Sequence, residues 1–219
     1  MAIDDTEVKI INQAFNRLGV RRMTTAQKTT PTTKQSRLAV DSYEAYRDEV
    51  LQDHPWNFAT FRASLTKNVA TPVYDYSYEY DLPDGSTPAG KPACLRVLDV
   101  NEQPLWEWRE SGWYLYSEQY NTQAWKVENG RILSDSNTPL EIRYIGLVTL
   151  TTSMTPMFMD VLSAYLAVEW CESLTTSDSL SDRLEARLHR KLTEARTIDG
   201  QEGIPDSLET SYWLSGRGT

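Results

Sequence analysis

The sequence predicts an α+β chain: a four-helix bundle with an antiparallel β-module, a sandwich or small barrel, inserted between helices 2 and 3. Two observations predict it. Apolar residues recur at the helical period of 3.6 toward both ends of the 219-residue chain and at a period of 2 in its middle. Of the 23 aromatic residues, 11 lie between Tyr74 and Trp125, so the middle has a composition of its own.

The first helix is read from Val8, Ile11, Phe15 and Leu18, one apolar stripe. Asp4, Asp5 and Glu7 crowd its first turn, where the helix dipole favours negative charge. Gly19 marks its end, because glycine adopts a left-handed conformation without penalty. A Thr-rich loop, Met23 to Thr33, follows. The second helix starts near Pro31 to Lys34, carries Ala39, Tyr43, Tyr46 and Val50, and stops at about Asp53 before Pro55.

From about Phe61 to Leu150 the pattern is that of strands. Tyr74, Tyr76, Tyr78 and Tyr80 alternate with Asp75, Ser77 and Glu79, which predicts a strand with one aromatic face. Further strands are expected at Cys94–Val100, Leu105–Arg109, Trp113–Tyr116, Ala124–Val127, Arg131–Leu133 and Leu140–Leu147. Asn129-Gly130 between two of these is the strongest hairpin signal.

Helix returns at Pro156, a favoured first helical residue. Phe158, Val161, Leu162, Tyr165, Leu166 and Val168 make an apolar face so broad that the helix must be buried on more than one side. The last helix carries Leu180, Leu184, Leu188 and Leu192, with Ala195 and Ile198 extending the face and Gly200 and Gly203 ending it. The predicted division is therefore residues 1–60 and 151–200 as a helical bundle, 61–150 as the inserted β-module, and 201–219 as an extended tail. Four amphipathic helices, none able to bury its stripe alone, pack most simply as one bundle.

Charge and composition exclude several functions. The chain has 22 basic and 31 acidic residues, a net charge of −9, which opposes general nucleic-acid binding. No window approaches the ~20 apolar residues of a membrane helix, so no membrane partner is expected. The opening MAIDDTEVKI is acidic and lacks an apolar core, so no secretory leader is expected. The only cysteines, Cys94 and Cys171, are far apart, which argues against a disulfide framework.

Gly85-Ser-Thr-Pro-Ala-Gly90-Lys91-Pro92 fits seven positions of a phosphate-binding P-loop. The eighth is Pro92, with no hydroxyl for magnesium and no N–H, and the segment after it reads as strand rather than helix. His54 and His189 have no Cys or His partner at ligand spacing, so neither a metal nor a cofactor is expected. No catalytic residue is assigned. Glu107 and Glu110 beside Trp106, Trp108, Trp113, Tyr114 and Tyr116 resemble the carboxylate pair and stacking platform of a glycan site. Alternating aromatics are more simply the core and one face of a sheet. The last helix presents Arg183, Arg187 and Lys191 at intervals of four. Tyr212-Trp213-Leu214 is an aromatic cluster in a polar tail, which orders only by docking on something. Trp106, Trp108, Trp113, Arg183, Arg187, Lys191, Tyr212 and Trp213 are the candidate protein-interface residues.

The run His54-Pro-Trp-Asn-Phe-Ala-Thr60 resembles the tail tubular protein A family of short-tailed bacteriophages, the head-to-tail adaptors. Other pieces agree in order: Ile11-Asn12-Gln13-Ala14, Arg17-Leu18-Gly19, Tyr80-Asp81-Leu82-Pro83, Cys94-Leu95-Arg96-Val97-Leu98, Ile142-Arg143-Tyr144-Ile145, Pro156-Met157-Phe158 with Tyr165-Leu166-Ala167, and Ala195 to Asp199 closing the last helix. The likeness covers about residues 5–203; Asp84 to Ala93, which holds the P-loop look-alike, is an insertion relative to that pattern. The resemblance implies a homo-oligomeric ring of roughly twelve subunits. That ring would bind the portal protein above and the tail nozzle or tail tube protein below, and genomic DNA would pass through without sequence-specific binding. It implies a virion tail location, with host cytoplasm during assembly. The competing expectation is a virion-associated carbohydrate-binding or glycan-hydrolysing tail protein. Deletion of Gln201 to Thr219 is expected to weaken ring assembly.

Overall fold

The computed structural model describes residues 5–86, 91–101, 103–104, 106–109, 112–115, 125–137, 139–175 and 177–202. It is mixed α+β, with five helices and three antiparallel sheets among these residues. The helices are α1 (Asp5–Leu18), α2 (Ala26–Thr29), α3 (Lys34–Asp53), α4 (Pro156–Leu174) and α5 (Asp178–Gln201). The strands are β1 (Thr60–Leu65), β2 (Tyr78–Asp81), β3 (Cys94–Val100), β4 (Gln103–Pro104), β5 (Trp106–Arg109), β6 (Gly112–Leu115), β7 (Trp125–Glu128), β8 (Arg131–Ser134) and β9 (Leu140–Gly146).

Helix ends follow local chemistry. Gly19 takes φ +70°, and the bonds Val20 N→Phe15 O and Gly19 N→Asn16 O close α1 in a Schellman motif. The Thr33 side chain accepts from the Ser36 N–H and Ser36 reaches back to the Thr33 N–H, a capping box that starts α3. Thr155 accepts from the Phe158 N–H, and Pro156 occupies the first turn of α4. The Thr-rich segment expected as a loop contains the single-turn helix α2. Asn12 holds its entrance, accepting from the Met23 N–H and donating to the Met23 carbonyl, with the Met23 side chain buried.

Helix α4 is the axis of packing; α1, α3 and α5 each lie against it. Trp170 is fully buried, with its ring 5.4 Å from Phe15 and its Nε1–H donating to Ser42 at 2.9 Å. All four predicted α1 stripe residues are buried in the same cluster as Phe158, Val161, Leu162 and Leu166. The broad apolar face of α4 thus serves several neighbours at once, as its pattern requires.

The strands form a four-stranded sheet, β1-β9-β3-β4, a three-stranded sheet, β2-β8-β7, and the hairpin β5-β6. Buried side chains of the first two sheets share a second core of Ala63, Leu65, Tyr80, Val100, Trp125, Ile132, Leu140, Ile142 and Tyr144. An isolated bridge between Lys67 and Tyr80 ties the two sheets together at one edge. Asn129 (φ +47°) and Gly130 (φ +72°) form the β7-β8 turn, since two left-handed residues in succession match the twist of the paired strands.

One expectation is corrected here. The aromatic strand does not span Tyr74 to Tyr80: it starts at Tyr78, because Asp75 takes φ +69° and bends the chain, and Tyr74 is exposed. Helix α5 runs through Gly200 to Gln201, between the two glycines, Gly200 and Gly203, expected to end it.

Candidate functional site

The His54–Ala59 run joins three parts of the fold. Pro55 forces His54 out of helical geometry, which ends α3, and Asn57–Ala59 make one 3-10 turn that leads into β1. Trp56 points into the helical core at 1% exposure. Its Nε1–H donates to the Val50 carbonyl at 3.0 Å, and its ring meets Phe158 edge-on at 5.2 Å. Asn57 turns outward to the end of α5. Its backbone N–H donates to the Asp199 carboxylate at 3.1 and 3.3 Å, and its side-chain amide donates to the Asp199 carbonyl at 2.6 Å. His54 Nε2 lies 3.3 Å from the same carboxylate, and Arg196 pairs with Asp53 one residue earlier.

Asp199 is buried, so its charge is balanced by these donors rather than by water. Burial pulls the His54 imidazole below its ordinary value against the opposing charge of Asp199. Removing Asp199 leaves the Asn57 N–H without its acceptor, a cost of about 1–3 kcal/mol. This clasp fastens the C-terminal helix to the doorway between α3 and the first strand. Sequence reading identified the run, and Asp199 only as the end of the last helix, not as the run's partner 142 residues away.

The last helix places its predicted basic residues unequally. Arg183 and Arg187 are exposed. Lys191 is drawn inward to Asp160 at 3.2 Å, and Arg17 of α1 binds the same carboxylate at 2.5 Å. Burial pulls the Arg17 guanidinium below its ordinary range; Asp160 resists, and the charge of Arg187 adds to the pull. Burial would raise Asp160, but its bond to Lys191 and the charges of Arg17 and Lys191 hold it below the usual carboxylate range. Lys191 therefore fastens α5 to α4.

Sequence reading missed a quartet between α3 and α4. The Tyr46 and Tyr165 rings meet edge-on at 5.9 Å. The Tyr165 hydroxyl bonds to Glu49, and the Tyr46 hydroxyl bonds to Glu169. Burial and the charge of Glu49 push the Glu169 carboxyl up, and Tyr46 partly offsets them. The signal was present as Tyr46 with Glu49 and Tyr165 with Glu169, each pair at a spacing that shares one helix face.

The other predicted residues divide as follows. Trp106, Trp108 and Trp113 sit on the β5-β6 hairpin, where Trp108 is registered opposite Trp113; their side chains, with that of Glu107, lie outside the described residues. Glu110, Tyr212 and Trp213 also lie outside them. In the P-loop look-alike, Lys91 donates to the Arg62 carbonyl at 2.6 Å, and Cys94 opens a strand soon after Pro92, not a helix. Burial pushes the Cys94 thiol up to about 11, away from nucleophilic character. Among the described residues no three His, Cys, Asp or Glu side chains gather as metal ligands, and no helix is long and apolar enough to cross a membrane. No known protein family and no curated protein matches the chain in sequence.

Proposed function

We propose that this chain is a structural head-to-tail adaptor of a bacteriophage virion, not an enzyme. In this reading copies form a homo-oligomeric ring beneath the portal, meet the tail nozzle below, and let genomic DNA slide through. The architecture we assign is a four-helix bundle of α1, α3, α4 and α5, with the strand region as a β-module inserted between α3 and α4.

The observation that carries the reading is the clasp at His54–Ala59. The run most like the tail tubular protein A family is the place where α3, α5 and β1 are locked together through Asp199. An adaptor gripped by different partners at its two ends needs a stiff joint between its helical and strand parts. His54 and Asp199, the acid–base pair an enzyme would aim at a substrate, are spent here on internal bonds. The net charge of −9 suits a conduit that must not hold phosphate.

The test is electron microscopy of the purified protein mixed with portal rings of the phage that encodes it. Ring-shaped density under the portal, continuous with the nozzle once nozzle protein is added, is the expected image. Bare portals at saturating protein would refute the adaptor reading.

A further inference from the structure

Two surfaces of the helical region carry opposite charge: exposed arginines on one and exposed glutamates on the other, none of them in an ion pair among the described residues. The first is a strip on α5. Arg183, Arg187 and Arg190 are exposed, and spacings of four and three put them on one face. Among the described residues none of the three is in an ion pair. Asp160 is bound by Arg17 and Lys191, and the charge of Arg187 acts on Arg17. Four cations thus gather on that flank with Asp160 and Glu194 as the acids bound to any of them.

The second surface is the groove between α3 and α5, floored by α4. A cleft of about 530 Å³ opens there, with Val50, Tyr165 and Leu192 among its lining residues. Glu49 lines it and is exposed, and Glu169 and Glu172 of α4 are exposed too. The two tyrosine hydroxyls give Glu49 and Glu169 hydrogen bonds but no charge. Among the described residues no cation pairs with any of the three glutamates. Arg96 also lines the cleft and donates to the Gln52 carbonyl there, Lys34 donates to the Ser173 carbonyl, and Arg196 binds Asp53. Burial first, and then the charge of Glu49, raise the Glu169 carboxyl, and Tyr46 partly offsets them.

These surfaces lie on opposite flanks of α5. Arg187 faces α1 through Arg17, while Leu192 lines the cleft with Glu49 of α3. A two-fold dimer through either surface would set like charges against each other, which is repulsive. A head-to-tail contact instead brings the strip of one copy to the groove of another, and repetition of one such contact closes a ring.

We propose that the arginine strip of α5 in one copy seats in the groove between α3 and α5 of the next, with Arg183 and Arg187 neutralising Glu49 and Glu169. The aliphatic stems of the arginines cover Tyr165 and Val168 while their heads reach the carboxylates. This inference rests on the ring of the adaptor reading and names the contact between its neighbouring copies.

The experiment uses two charge-reversed proteins, one with Glu49→Lys and Glu169→Lys, the other with Arg183→Glu and Arg187→Glu. Sedimentation measures self-association at low salt, with circular dichroism and melting as controls for folding. Wild type should associate, and each reversed protein alone should associate at least roughly tenfold more weakly. An equimolar mixture should recover association, because every strip then meets a groove of opposite charge. Salt near 1 M, which needs no mutation, should weaken the wild-type contact as screening shortens to about 3 Å. A mixture that stays dissociated, wild-type association indifferent to salt and to both reversals, or a wild type that stays monomeric would overturn the proposal. The two readings fail separately. Reversed proteins that decorate portals with full rings sink this contact alone. A wild type that associates as described but never binds a portal sinks the adaptor reading alone.

Discussion

At the scale of single residues, the Asp199 carboxylate shows how one buried charge can organise a junction. It accepts from the Asn57 backbone and faces His54, so the end of α5 cannot lift without stranding those groups. The histidine makes the junction pH-sensitive, and the sign follows from burial. The folded state holds His54 below its ordinary value of about 6.5, so the unfolded chain takes up the proton first as pH falls. Stability from this group is therefore complete above about pH 7 and declines as pH falls through 6.5 toward the lower folded value. Thermal melts of wild type and His54→Gln between about pH 7.5 and pH 5 should show the flatter profile in the variant. An equal or steeper slope in His54→Gln would mean that Asp199 outweighs burial. The proline, tryptophan and asparagine of this run are plain in the sequence. Asp199 is not, because an aspartate near a helix end has many commoner uses.

At the scale of elements, β3 shows why alternation misleads. In a regular strand Cys94, Arg96, Leu98 and Val100 share a face. Register shifts between Cys94 and Arg96 and between Val97 and Asp99 break that rule against β9. Each such bulge re-aims the side chains after it. Cys94, Val97 and Val100 then face the second core, while Leu95 and Leu98 pack on the helices. A strand between two cores must be apolar on both sides, and the bulges let Cys-Leu-Arg-Val-Leu-Asp-Val do this while Arg96 stays exposed. The partner strand ends under equal constraint. A Cβ on Gly146 would come within 2.4 Å of Pro92 and 2.7 Å of the Phe61 ring. Gly146→Ala is thus expected to cost about 1–3 kcal/mol, measured by chemical denaturation. A neutral effect would show that Pro92 and Phe61 yield more easily than their packing suggests.

At the scale of the whole molecule, the two cores are not independent. Strand β9 gives Leu140, Ile142 and Tyr144 to one and Ile145 to the other, and Phe61 packs against both. Calorimetry should therefore record a single unfolding transition, and Phe61→Ala should broaden or split it while removing up to about 3 kcal/mol. Two separate transitions in wild type would show that helices and strands melt apart. Helical and extended segments were legible in the order of the residues because the 3.6 and 2.0 periods are properties of local backbone geometry. Gly19, Asn129-Gly130 and Pro156 marked their boundaries for the same local reason. Folding alone revealed that Lys191 turns in to Asp160 while Arg187 stays out, that the charge of Glu49 acts on Glu169, and that Asp199 closes on Asn57. Each of those pairings joins residues more than 30 positions apart, and charge on a helix face carries no mark of what the rest of the chain will bring beside it.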